Sequence, residues 1–219
     1  MHLDKRAGQK TEGVLSTVAV VACRPVAAKL GSMIVEYRSN PQQLANEIAI
    51  RMNTANLDWY KNDGDWTRRL KSIIGELFQT EGANPTDVLC SDKERGTHEF
   101  LLDVVVWDRN SGEGVTLAVE SEWAQHHEAI AEDFWKLMVV KSPLKLMVFA
   151  LSDKARVHSR EVVWEKLADC LLKYRDHHQG ERYLFMNFGV PPAVEAWWIE
   201  IPVDGPLANI PEKTPIKFD

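Results

Sequence analysis

Two runs, HEFLLDVVVWD (98–108) and VTLAVESEW (115–123), constrain this chain more than anything else in it. Both are rich in β-branched and aromatic residues, and the RNSGEG between them is turn chemistry, so the spacing predicts a β-hairpin. The segment after the hairpin narrows the choice further. A helical stripe of Ile130, Phe134, Leu137 and Met138 runs from about Gln125 to Lys141, Pro143 stops it, and LKLMVFALS then has the unbroken apolar character of a buried strand. A hairpin, then a helix and another strand, requires a mixed sheet flanked by helices, an α/β fold.

The flanking segments extend that plan. Asn40 and Pro41 suit the N-cap and first position of a helix carrying Leu44, Ile48 and Met52 on one stripe. A second helix, Trp66 to about Thr80, sets Leu70, Ile73, Ile74 and Leu77 in step, and TDVLC offers a short strand before the hairpin. Arg156 to His177 is a long amphipathic helix ended by Gly180, and RYLFMNF and VEAWWIEIP close as strands. Trp197 and Trp198 alternate faces there, so one of them is expected to pack on the long helix.

At 219 residues the chain suits one domain, here 33–219, with 1–32 as an appendage. That appendage has two expected origins. Lys5, Arg6 and Lys10 ahead of VLSTVAVVAC imitate an export signal, against which stand Glu12, Arg24 and a run too short to span a bilayer; Met33 alternatively opens a well-patterned segment. Three scattered cysteines, Cys23, Cys90 and Cys170, fit reduced thiols and a cytoplasmic protein rather than a disulfide framework or zinc site. No membrane partner is expected. A net charge of −6 gives no general pull toward nucleic acid, but between Lys136 and Arg182 ten Lys or Arg stand against six Asp or Glu, a local basic patch.

Chemistry concentrates on the hairpin. Glu120 and Glu122 lie two residues apart on a strand and so share one face, and across the hairpin Asp103 interrupts FLLDVVVW with the parity to join them. Clustered carboxylates in a partly desolvated place raise one another's pKa, and a small hard cation relieves the repulsion. Magnesium or manganese, held by one or two carboxylates with water and substrate phosphate on the remaining positions, fits such a set. Solvated acids on one side of a hairpin are the plain alternative, opposed by Leu101, Val105, Trp107 and Ala118 on that same side. There is no phosphate-binding glycine loop, dinucleotide fingerprint or serine nucleophile elbow.

An acid in the second core strand, Glu-x-Glu in the next, then a helix and a strand, resembles the PD-(D/E)XK nuclease superfamily from Trp66 to about Leu151. The resemblance implies a restriction-endonuclease-like mixed central sheet and a magnesium-dependent hydrolase, an endonuclease acting on DNA rather than RNA. It assigns the metal to Asp103 and Glu120. The third motif position, usually lysine, is Glu122 here, which would activate or position water. Some members move that lysine to the following helix, where Lys136 is the candidate and Lys141 stands behind it. A first-helix glutamate often contributes, for which Glu76 is preferred to Glu47, and Glu99 could flank the site. His126, His127 and Asp133 are weaker neighbours. Double-strand cutting would call for two sites and so a homodimer. The missing lysine keeps a rival open, a catalytically inactive module of the same fold that binds nucleic acid or protein.

Overall fold

The computed structural model describes residues 37, 40–53, 63–78, 88–90, 101–108, 114–123, 126–151, 158–189, 194–202, 207, 209 and 212–218. Its elements in chain order are α1 (Pro41–Asn53), α2 (Asp63–Phe78), β1 (Val88–Cys90), β2 (Val104–Asp108), β3 (Gly114–Glu122), α3 (His127–Val139), β4 (Leu144–Phe149), α4 (His158–Lys173), β5 (Arg182–Phe188), β6 (Val194–Glu200) and β7 (Thr214–Ile216). The appendage 1–32 and Glu99 lie outside the described residues.

The strands form one open mixed sheet in the order β1 to β7. β1, β2 and β3 are antiparallel, β3, β4 and β5 are parallel, and β6 and β7 return antiparallel. The parallel pairs need helical crossovers, which α3 and α4 supply. Gly114, at φ +80°, takes the left-handed backbone that lets the chain enter β3, where it pairs with Asp108.

Alternation along the strands divides the apolar residues between two cores, so the fold has three layers. Leu117, Val119, Leu146 and Leu184 meet Leu44, Ile48, Leu70 and Ile74 of α1 and α2 on one side. Ala118, Met147 and Phe185 meet Phe134, Leu137, Leu167 and Leu171 of α3 and α4 on the other. Burying each large apolar side chain contributes roughly 1.5–3 kcal/mol. Trp197 packs in the second core and Trp198 against the first, as their parity requires. Among the described residues no helix is long and apolar enough to cross a membrane.

Three differences from the sequence reading have local causes. The strand expected to contain Asp103 begins one residue later, and Leu101 to Asp103 form a bend. The long helix ends at Lys173 rather than His177, because the His177 ring turns back to place Nε2 2.9 Å from the Leu171 carbonyl, one of those a helix end leaves open. The short edge strand β7, with Pro215 at its centre, has no counterpart in the sequence reading; an edge position tolerates the missing N–H.

Candidate active site

The last turn of the β2–β3 hairpin ladder shows why Asp103 leaves the strand. Regular pairing ends at Val104 with Val119, and the Asp103 carboxylate then closes the ladder itself. Its Oδ2 accepts from the Ser121 backbone N–H at 3.0 Å and from the Ser121 hydroxyl at 2.6 Å. Ser121 has one proton to give, so the 3.3 Å contact between its Oγ and Thr67 Oγ1 must be donated by Thr67, which in turn accepts from the Trp123 indole at 2.8 Å. The other Asp103 oxygen lies 3.3 Å from Lys71 Nζ. Thr67 and Lys71 both come from α2, one helical turn apart and in line.

Glu120 is the opposite case. It sits inside β3 on the face covered by α3, beside Ala118 and in register with Met147 of β4. It is 4% exposed, and no described residue gives it a hydrogen bond or ion pair. Buried carboxylates in folded proteins are almost always partnered. Burial, with the neighbouring charge of Asp103 second and that of Asp133 adding, pushes its carboxyl up to about 9, although Lys136 and Lys71 pull the other way. Glu122, two residues on, is half-buried on the same face at the end of β3.

α3 brings Lys136 toward this pair. Lys136 Nζ lies 2.6 Å from Asp133 Oδ1 on the preceding turn. Burial works against its charge, but that bond and the fields of Glu120, Asp133 and Asp103 outweigh it and hold its pKa above the ordinary lysine value. The ammonium is therefore dependable at neutral pH. The remaining candidates lie elsewhere. Glu76 faces Arg51 at 3.1 Å and Arg69 at 3.6 Å on the far flank of α2. Glu47 joins the same Arg51, at 3.4 Å. Lys141 lines a shallow cavity with Val115 and His178, toward the opposite end of β3 from Glu120. His127 pairs with Glu128 at 2.7 Å, and His126 occupies the N-cap of α3 without a side-chain cap bond.

Sequence reasoning missed Lys71, Thr67 and Ser121. A lysine beside an apolar stripe is ordinarily solvated, yet the helical period puts Thr67, Lys71, Ile74 and Phe78 on one flank and Glu76 on the other, a signal that was present.

The donor set has a definite bearing on which divalent cation it could hold. Among the described residues no group of three or more His, Cys, Asp or Glu is gathered as a metal cage. Glu120 feels the charge of Asp103 and has no hydrogen-bond or ion-pair partner among the described residues. That fits a magnesium-type ion, which takes one or two carboxylates and keeps its other positions for water and phosphate. It does not fit a zinc site closed by protein ligands. Comparison of the chain with protein-family models, with curated proteins and with solved structures found no match.

Proposed function

We propose that the chain is a metal-dependent phosphodiesterase of the restriction-endonuclease-like fold, an endonuclease acting on DNA. The observation that carries this reading is Glu120, buried without a partner among the described residues and within the field of Asp103. The order α2, β1, β2, β3, α3, β4 supports it, because it brings an acid at the head of the second strand, Glu-x-Glu on the third and a lysine on the next helix to one end of the sheet.

Asp103 and Glu120 would hold magnesium or manganese, which when bound lowers the pKa of water and offsets charge developing on the phosphate. The chain's own groups do the rest. Lys71 and Ser121 fix the Asp103 carboxylate in one orientation. Glu122 accepts a proton from the attacking water, and Lys136, kept charged by Asp133, lies against a non-bridging oxygen of the scissile phosphate. Glu120, whose carboxyl burial keeps protonated, would have to release that proton to hold a cation.

One observation favours the second reading, an inactive module binding nucleic acid or protein. Both Asp103 oxygens already have partners, and Lys71 supplies a built-in positive charge where a cation would sit. Plasmid cleavage in magnesium by the intact chain, by Glu120→Ala and by Lys136→Met separates the two. Glu120→Ala should abolish cleavage, and Lys136→Met should reduce it on the order of a hundredfold or more, the usual reach of one positioned charge. Equal cleavage by the chain and Glu120→Ala defeats the assignment, and no cleavage together with no magnesium heat in calorimetry leaves the binding module.

A further inference from the structure

Away from the acids, a cavity of about 710 Å³ lies between the first half of α4 and the β6–β7 edge of the sheet. Trp164 of α4 and Trp197 of β6 meet in its wall with ring centroids 6.0 Å apart and planes at 84°, forming an aromatic corner. Lys213, just before β7, places its ammonium against that corner, 4.3 Å from the Trp164 centroid and 5.6 Å from that of Trp197. Among the described residues Lys213 makes no ion pair, so the two π faces are what receive its charge.

Among the described residues the lining also carries Glu161, Glu165 and Glu195, all exposed, so three carboxylates there stand against one ammonium. A phosphate would enter this rim against its charge, whereas a cation is drawn in by it. An aromatic corner behind an acidic rim is the composition that recognises ammonium ligands. Lys213 reaches the corner on a flexible stem beside a three-residue edge strand, so its withdrawal breaks nothing in the sheet.

We propose that this cavity is a binding site for an alkylammonium ion, and that Lys213 is a tethered occupant that the ligand displaces. The ion is either a free polyamine or a lysine side chain, which share the recognised chemistry. The site is independent of the proposed hydrolysis, and its test needs no metal.

The test is calorimetry of the intact chain with tetramethylammonium in metal-free buffer, on wild type, Lys213→Ala and Lys213→Ala/Trp164→Leu. Lys213→Ala should bind about tenfold more tightly than wild type, because removing the internal competitor lifts its occupancy penalty. Adding Trp164→Leu should remove the binding, and Lys213→Ala/Glu161→Gln/Glu165→Gln should weaken it and flatten its salt dependence. Spermidine and N-acetyl-lysine amide titrated into Lys213→Ala then identify the source, the tighter of the two naming it. Absence of binding to Lys213→Ala, equal affinity of wild type and Lys213→Ala, or binding that survives Trp164→Leu in a variant with an unchanged near-ultraviolet spectrum overturns the proposal.

Discussion

Two ionisable groups lie two positions apart on one face of this sheet and meet opposite fates. Lys145 of β4 pairs in register with Ala118, and Glu120 pairs with Met147, roughly 7 Å further along the strands. Lys145 is 1% exposed and fully satisfied, with its Nζ donating to Glu181 at 2.8 Å, to Tyr183 at 3.0 Å and to the Met138 carbonyl at 3.3 Å. Glu181 also accepts from the Tyr183 hydroxyl at 2.6 Å and meets His177 Nδ1 at 2.9 Å. Burial alone would raise the Glu181 pKa, but these donors outweigh it and hold the carboxyl below its ordinary value. Glu120, at 4% exposure, has no such company among the described residues. The contrast teaches that burial of charge is not itself the mark of a site. A completed network is part of the scaffold, and an incomplete one marks a candidate site.

The comparison breaks most decisively at Glu181. Glu181→Gln leaves Lys145 charged and buried without its counter-ion, which should cost about 3–5 kcal/mol in urea unfolding at pH 7. Glu120→Gln, although also buried, should cost nothing there or add stability. A large loss at Glu120 and none at Glu181 would reverse the roles assigned to the two ends.

Proton linkage sharpens the same contrast as a slope against pH. The Glu120 carboxyl lies at about 9 in the fold and near the ordinary glutamate value when unfolded. The folded chain thus keeps a proton that the unfolded chain releases. The associated stability is complete below the unfolded value and drains away as pH climbs toward 9, with a slope of up to about 1.4 kcal/mol per pH unit. Denaturant melts of wild type and Glu120→Gln between pH 5 and 9 should differ by that slope, and parallel curves would show that Glu120 titrates normally. The smallest effect belongs to Ser121→Ala. It removes one charged hydrogen bond of 2.6 Å while the backbone N–H remains, so a loss of about 1–2 kcal/mol is expected in thermal melts.

Much of the architecture was legible because periodicity reports directly on burial. The β2–β3 hairpin, α3 and β4 follow from patterns that local chemistry leaves little freedom to refuse. Glu120 and Glu122 on one face follow from strand alternation alone. Asp103 was less legible. Its parity pointed to the α3 side, but a carboxylate can close a ladder against Ser121 only by leaving the strand, and that preference depends on which groups lie opposite. Lys145 and Glu181 carried a signal that went unweighed, since a lysine within LKLMVFAL demands a buried counter-charge, yet 36 residues separate it from the one it finds.

By itself the sequence determined the alternation of helix and strand, the mixed sheet and the shared face of the Glu-x-Glu pair, because each depends on neighbours within a few residues. Only the tertiary structure decided which charges meet. Lys71 reaches Asp103 from another layer, Lys136 comes within the field of Glu120 while Lys141 and Glu76 do not, and Glu181 rather than water answers Lys145. Electrostatic partners are set by distances across layers and by the water excluded between them, and neither quantity is written in the spacing of residues along a chain.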